Sequence, residues 1–474
     1  MLTVADVIEA LTGFRPVQAT PVVTDAVSAP KQVIPGALYV QLELTTEAAS
    51  PVELVSQALE NGSMLVLTEH AMPSNIRTIR LEKALNVETI SAKDLPLCLQ
   101  VEDVEKALHQ IALFWRAKLP TKVVAVTGSI GKTTTKDLIA EVLHQRYRTF
   151  TNKGKTASLQ EVPLAWLTVT EQYERGVLEV DLDAVQNSSF LATMVSPSIV
   201  VLTTVGYAHA QQYGSPEDVV ERVTELLAAL PKDGIAIVNY DDPAVRTLGE
   251  SLAPSNRITY GLDPNADIWA DHVDGMGLEG IRFDLHHRGE TIHLSAPILG
   301  RHSVHTVLRA AAVGLAEGLS LDEIVKGLHF RNTQLRLVVG RSETGALLLD
   351  DTYNASPESV LAALNLLDEL GGRKIAVLGS MTDLGDYTRQ AHELVGLRAA
   401  QVVDHFVAVG EYADLYASAA RQAWLSASSI TVVNTPEDAA EFLRPHLTKK
   451  DVVLVKGPRE LGMEMVVHHL ERPE

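Results

Sequence analysis

The stretch VVAVTGSIGKTTTKD, Val123 to Asp137, constrains the fold more than any other part of the chain. An apolar run stops at a glycine-containing turn, and a lysine with three threonines then opens an amphipathic segment, a pattern that predicts strand, phosphate loop and helix. A buried strand delivers the loop, and the amides from Ser129 to Lys132 face a polyphosphate together with the positive end of the helix. Lys132 supplies a point charge and Thr133 a hydroxyl able to ligate magnesium. The expected ligand is a nucleoside triphosphate, held by Gly128, Ser129, Ile130, Gly131, Lys132, Thr133 and Thr134.

A strict Walker loop has a glycine where Val126 stands, so this loop is a variant. An incidental strand-helix junction with glycines is the alternative, and GKTTT directly after VVAVTG argues against it.

At 474 residues the chain is too long for one core. A hydrophobic content of 46% is that of a globular protein, and a net charge of -20 argues against general affinity for nucleic acid or anionic membranes. Any anionic ligand must therefore be gripped locally. Cys98 is the sole cysteine, which excludes an internal disulfide and a thiolate metal cluster and fits a reducing compartment, with cytoplasm as the expectation. The start MLTVADVIEALTGFRP lacks the basic opening of a signal peptide, and runs such as IVVLTTV are too short to span a bilayer.

Along the chain, short strands (ALYVQL, SMLVLTE, ETISA) alternate with helices (ADVIEALTG, VELVSQALENG) up to about Ala107. The helix VEKALHQIALFWRAKL leads into the phosphate-loop strand. Continuous apolar strands separated by helices then predict a mostly parallel sheet covered on both faces, with ligands at the carboxyl ends of its strands. From Asp267 to Pro297 the pattern changes to alternating strands, followed by the helices SVHTVLRAAAVGLAEG and LDEIVKGL. After Arg336 the strands GALLLDD, KIAVLGS, HFVAVG, SITVVN and DVVLVK form a further α/β unit of dinucleotide-fold order without a G-x-G-x-x-G fingerprint. The predicted fold is α/β in three domains, residues 1–107, 108–335 and 336–474, with a central phosphate-loop domain on a parallel sheet and a Rossmann-like carboxy-terminal domain.

Glu179 in VLEVD and His209 in VGYAHAQQYGS fall where central strands end, and together they could hold a magnesium ion beside the phosphates. Taken singly, such a glutamate is more often a solvated strand end, and such a histidine a packed or surface residue. In LLLDDTYNASPES, Asp351 is placed to accept from ribose hydroxyls. An Asx-type turn capping the next helix accounts for Asn354 and Ser356 but gives the adjacent Asp350 and Asp351 no purpose. Arg336, isolated among the apolar residues of QLRLVV, could reach an anion across a domain boundary.

With these residues in hand, the segments VTGSIGKTTTKDLI, VLEVD, VGYAHAQQYGS, LPKDGIAIVNYDDP, ILGRHSVHTVLRAAAVGL, LDDTYNASPES, VLGSMTDLGDYTRQAHELVG and VLVKGPREL resemble, in order and spacing, the Mur ligases of peptidoglycan synthesis. The resemblance implies ATP-dependent joining of an amino acid or dipeptide to a sugar-nucleotide carboxylate, through an acyl phosphate and with Mg2+. It points most to the branch whose incoming amine is D-alanyl-D-alanine. It implies Lys132 on the β and γ phosphates, Thr133, Glu179 and His209 on the metal, and Arg336 on the γ-phosphate. Asp351 would bind ribose, Tyr353 and Asn354 would line the nucleotide cleft, and His302 would precede the adenine-contacting helix. The first domain would take the sugar nucleotide and the last the incoming amine, in a monomer.

Departures from the family pattern cluster at substrate and second-metal positions. Val223 stands where the family carries a carbamylated lysine, although Glu225 is kept; Ala157-Ser158 replaces Asn-Asn and Gln186-Asn187 replaces Gly-Glu. Ser303 and Thr306 replace two asparagines near the adenine, and Pro30-Lys31 occupies the approximate place of an Asp-Ser-Arg on the uridine side. A ligase, a paralogue with another acceptor, and a nucleotide-binding scaffold without ligation are the readings left open.

Overall fold

The computed structural model describes residues 1–42, 50–81, 90–152, 160–180, 188–205, 216–329 and 338–471. The expectations for His209, Arg336, Ala157-Ser158 and Gln186-Asn187 lie outside those residues. The chain packs as two compact units, Met1–Val124 with Tyr147–Pro197, and Ala125–Arg146 with Ser198–Glu474.

The first unit holds a sheet of β1 (Ala26–Val27), β2 (Leu38–Val40), β3 (Leu65–Thr68), β4 (Thr78–Arg80) and β5 (Leu97–Gln100) in the order β1-β2-β3-β5-β4. All of its ladders are parallel. β3 is buried along its length because both faces of a parallel sheet are covered, which is why LVLT reads as an unbroken apolar run. Helix Pro51–Glu60 starts where Ser50 and Glu53 close a reciprocal capping box around a first-turn proline. Helix Val104–Lys118 is capped by Asp103 and buries Leu108, Ile111 and Trp115, whose indole donates to Val169 O at 2.9 Å.

The strand predicted at ETISA is corrected. Glu88 and Thr89 lie outside the described residues, Ser91 makes only an isolated bridge to Gln18, and Ala92–Asp94 is a 3-10 turn. The Asp94 carboxylate takes both the amide and the hydroxyl of Ser91, at 2.7 and 3.0 Å. That local bonding competes with a strand ladder, and the sheet strand comes later, at β5.

The middle strands are β6 (Lys122–Thr127), β7 (Thr149–Thr151), β8 (Arg175–Glu179), β9 (Ile199–Leu202), β10 (Ile235–Asn239), β11 (Arg257–Gly261), β12 (Ile268–Gly275), β13 (Ile281–His287) and β14 (Glu290–Ala296). In the first unit β7 and β8 pair in parallel. In the second unit the order runs β14-β13-β12-β11-β10-β9 and on to the end of β6, where Thr203 N donates to Thr127 O at 3.0 Å. β9 to β12 are parallel, and β12 to β14, where the sequence pattern changes to alternating strands, are antiparallel.

The last sheet comprises β15 (Val338–Arg341), β16 (Leu347–Asp351), β17 (Arg373–Gly379), β18 (His405–Val409), β19 (Ile430–Val433) and β20 (Asp451–Lys456) in the order β15-β16-β20-β17-β18-β19. It is parallel except for the edge strand β15. Leu349, Ala376, Leu378, Phe406 and Leu454 pack on one face, and Leu348, Val377, Val407 and Val453 on the other. Helices cover both faces, the arrangement of a Rossmann-like domain. Among the described residues no helix is long and apolar enough to cross a membrane.

Asp6 ties the first unit together. It closes the capping box of helix Val4–Thr12 with Thr3, and its Oδ1 takes Arg15 Nη1 at 2.7 Å and Lys118 Nζ at 3.0 Å. Burial alone would push its carboxyl up, but the bonds from Arg15, Thr3 and Lys118 outweigh it and hold the group well below the usual carboxylate range. The folded state therefore keeps this proton off where the unfolded chain, titrating near about 3.9, takes it up. Asp6→Asn is expected to lower stability by about 1.5–3 kcal/mol at pH 7. Urea unfolding across pH should show that gap constant down to about pH 5 and shrinking as pH falls through the carboxylate range.

Candidate active site

β6 is buried from Val123 to Thr127, and its chain turns at Gly128 with φ +124°. A Cβ on Gly128 would stand 2.2 Å from Thr203 Oγ1 and 2.9 Å from Thr204 O, so only glycine permits this approach. Ser129 N donates to Thr204 O at 2.8 Å, which fastens the loop to the end of β9. Gly131, with φ +75°, is the cap residue of helix Lys132–Leu143 and offers no side-chain cap to the positive helix end. Lys132, 8% exposed, donates from Nζ to Gly128 O at 2.8 Å and so curls over the loop it follows.

The segment facing Gly128 is itself locked from below by the NYDDP motif. Asn239 Nδ2 and Tyr260 OH donate to Thr203 O at 2.9 and 3.1 Å, and Asp242 Oδ2 accepts from Val205 N at 2.9 Å. Asp242 also caps helix Pro243–Glu250 through Ala244 N and Val245 N. Asp241 takes His305 Nε2 at 2.7 Å and Leu262 N at 2.8 Å. Burial pushes the Asp241 carboxyl up, and His305 with the amides of Leu262 and Asp263 brings it below its ordinary value. That pair anchors helix Val304–Ala316, whose Arg309 guanidinium lies against Gly131.

A polyphosphate fits this cradle on the donors present. Among the described residues the hydroxyls of Thr127, Thr135, Thr203 and Thr204 are buried without a hydrogen-bond partner, which is costly unless a ligand or water satisfies them. Ser129 is 9% exposed and Thr133 half-buried on the loop side of the helix.

Glu179, predicted as a metal ligand, is the last residue of β8 and is 4% exposed, which removes the reading of a solvated strand end. Asn152 fixes its backbone, accepting from Glu179 N at 3.2 Å and donating to Glu179 O at 3.4 Å. A buried carboxylate is an oxygen donor that suits a hard divalent cation.

At the carboxyl ends of β16 and β20 a second constellation forms. Asp351 Oδ2 accepts from Lys456 Nζ at 2.8 Å, and the same ammonium donates to Asn354 O at 2.8 Å. Lys456 is 3% exposed, and Asp351 Oδ1 has no protein partner among the described residues. Asp350 has a purpose after all, since its Oδ1 accepts from Thr352 N and Oγ1 at 3.0 and 2.7 Å in an Asx turn. Ser356 caps helix Pro357–Glu369 as expected. Tyr353 and Asn354 are half-buried between these two features.

His302 sits in the 3-10 turn Arg301–Ser303, directly before helix Val304–Ala316, and is exposed. Ser303 donates its hydroxyl proton to Leu299 O at 2.6 Å, and Thr306 Oγ1 accepts from Arg309 Nη2 at 3.0 Å, so both hydroxyls that replace family asparagines are engaged inside the protein. Val223 is 1% exposed in the core face of helix Pro216–Ala228, and Glu225 is exposed.

Sequence reasoning missed Arg309, Lys456, Asn152 and the Asp241-His305 pair. Arg309 and Lys456 carried the same signal as Arg336, a lone cation in an apolar run. Asn152 and Asp241-His305 act across long sequence separations and carried none.

A phosphate loop on a parallel sheet, followed by a Rossmann-like module, defines an α/β protein of the phosphate-loop class. Residues 126–314 match the Mur ligase middle domain and residues 336–459 the Mur ligase, glutamate ligase domain. The chain belongs to the Mur ligase family. It is similar to the UDP-N-acetylmuramoyl-tripeptide–D-alanyl-D-alanine ligase of Bacillus subtilis, 29% identical over 88% of this chain and 86% of that one. The protein of the same name from Mycobacterium tuberculosis (strain H37Rv) is 32% identical over 73% of this chain and 72% of its own. A crystal structure of MurF from Acinetobacter baumannii superposes with a TM-score of 0.81 at 25% identity, covering 98% of this chain and 97% of that one.

Gly128→Ala places a methyl group into Thr203 at a backbone angle that disfavours it, and is expected to cost about 2 kcal/mol or more. Gly13→Ala, at φ +77° with nothing within 4 Å of the added carbon, should cost about 1 kcal/mol. Chemical denaturation of both variants checks the difference, and a loss at Gly128 no larger than at Gly13 would show that the loop does not depend on the close approach.

Proposed function

We propose that this chain is an ATP-dependent carbon-nitrogen ligase that adds D-alanyl-D-alanine to UDP-N-acetylmuramoyl-tripeptide in peptidoglycan synthesis. The observation that carries the reading is the loop from Gly128 to Lys132, a polyphosphate cradle with a buried lysine and an uncapped helix end. The names of the relatives aligned over most of the chain supply the substrate class.

In the proposed reaction a carboxylate oxygen of the tripeptide attacks the γ-phosphorus of ATP and ADP leaves. The dipeptide amine then attacks the acyl carbon, an amide forms, a proton is lost from nitrogen and inorganic phosphate departs. No covalent nucleophile from the protein is required, so catalysis is positioning and charge neutralisation. Lys132 and the amides from Ser129 to Lys132 take the phosphate charge, Arg336 adds to it from the carboxy-terminal domain, and Asp351 accepts from ribose. Tyr353 and Asn354 line the cleft and His302 leads into the helix beside the adenine. Thr133, Glu179 and His209 are the proposed ligands of Mg2+, which when bound would neutralise the phosphates further. Residues 1–107 are proposed to take the sugar nucleotide, 108–335 ATP and 336–474 the dipeptide, in a cytoplasmic monomer without nucleic-acid partners.

A second reading, a paralogue that takes another acceptor or has kept nucleotide binding without this ligation, is favoured by Val223. Its side chain fills the core where the resemblance implies a carbamylated lysine, so a second metal held in that way has no ligand. Phosphate release measured with ATP, the tripeptide and the dipeptide separates the readings. Turnover should need both substrates and fall about 100-fold or more in Lys132→Ala. ATP binding without turnover on any carboxylate and amine would leave the scaffold as the function.

A further inference from the structure

Helix Val304–Ala316 is apolar through VLRAAAVGL except for Arg309, which is 5% exposed. Its Nε donates to His305 O and its Nη2 to Thr306 Oγ1, both at 3.0 Å, and the ring of Tyr260 lies 5.7 Å from the guanidinium carbon. All these partners are neutral, and among the described residues no carboxylate pairs with the charge. Arginine does not shed its proton to escape burial, as a lysine can.

The guanidinium also faces an unfavourable neighbour. Nη1 and Nη2 lie 3.5 and 3.6 Å from where a Cβ on Gly131 would stand, at the positive end of helix Lys132–Leu143. A cation there is repelled by the helix dipole. Gly131, the cap residue of that helix, has no side chain with which to cap it. A buried charge held against the positive end of a helix, with no carboxylate partner among the described residues, is stabilised once an anion enters the loop.

We propose that Arg309 is a nucleotide-binding residue, a second cation that reaches the phosphates of the bound triphosphate from the side of helix Val304–Ala316, in addition to Lys132. Nη1, which makes no hydrogen bond within the protein among the described residues, is the donor available for a phosphate oxygen. The Thr306 and His305 bonds set the orientation of the guanidinium, and the Asp241-His305 pair fixes the turn of helix that carries it. The proposal rests on the reading of this chain as a nucleotide-binding protein and adds to it a residue from a helix remote in sequence from the loop.

The test uses the full chain and its Arg309→Met and Arg309→Lys variants, titrated calorimetrically with ATP, ADP, AMP and adenosine. Arg309→Met should bind ATP about 10- to 100-fold more weakly, with adenosine binding unchanged. Arg309→Lys should recover part of the loss, since it restores the charge without the planar fork. The ligand-free Arg309→Met chain should melt no lower than the wild type, because the substitution removes a buried charge that lacks a counterion. Equal ATP affinity in wild type and Arg309→Met overturns the proposal. So does an equal loss for adenosine and ATP, which would mark a contact to the base or a purely structural role. A wild-type chain that binds no ATP overturns the nucleotide reading itself, a failure distinct from a loss confined to the variants.

Discussion

The approach of Gly128 to the end of β9 is the contact on which the phosphate loop depends. With no side chain at that position the loop lies against Thr203, and Ser129 N reaches Thr204 O at 2.8 Å. A flexible loop would have to order on binding and lose affinity for it, whereas this one is held beforehand. Its rigidity is borrowed from β10 and β11, because Asn239 and Tyr260 grip Thr203 O, and Asp242 grips Val205 N. The NYDDP motif thus positions a loop far upstream of it without belonging to that loop.

Charge is arranged on the same plan. A chain of net charge -20 repels anions at long range, and positive groups are concentrated where a phosphate is to be held. Lys132 and Arg309 are both nearly buried, so their fields act in surroundings of low dielectric where each is worth more than on the surface. Lys456 plays a different part: it is neutralised by Asp351 and bonded to Asn354 O, so that it stiffens the end of β16 rather than attracting a ligand. Burying such a pair is costly unless its geometry is good, and the bond to Asn354 O satisfies a further proton of the ammonium.

Much of this was legible in the chain. The phosphate loop, the change to alternating strands near Asp267, the helices that begin at Pro51 and Val104, and the cap at Ser356 follow from local patterns, which do not need distant partners to be recognised. The short strands β1, β4, β7 and β11 were not legible, since strands of a few residues carry little periodicity and exist because a neighbour offers a ladder. The strand expected at ETISA failed for the converse reason, a local bond from Ser91 to Asp94 that an apolar pattern does not register. At the candidate site, Asp350 was visible but its purpose was not, because an Asx turn and a ligand-binding carboxylate look alike in sequence.

The sequence by itself determined the class of fold and the chemistry of the loop, because GSIGKTTT and the apolar runs on either side act through backbone conformation and burial that neighbouring residues dictate. Only the tertiary structure decided which cations face the loop and which are already paired. Arg309 and Lys456 are both single positive charges in apolar segments, yet one meets Gly131 without a carboxylate and the other meets Asp351. Their sequence surroundings are alike, and what separates them is the partner that folding brings from far along the chain.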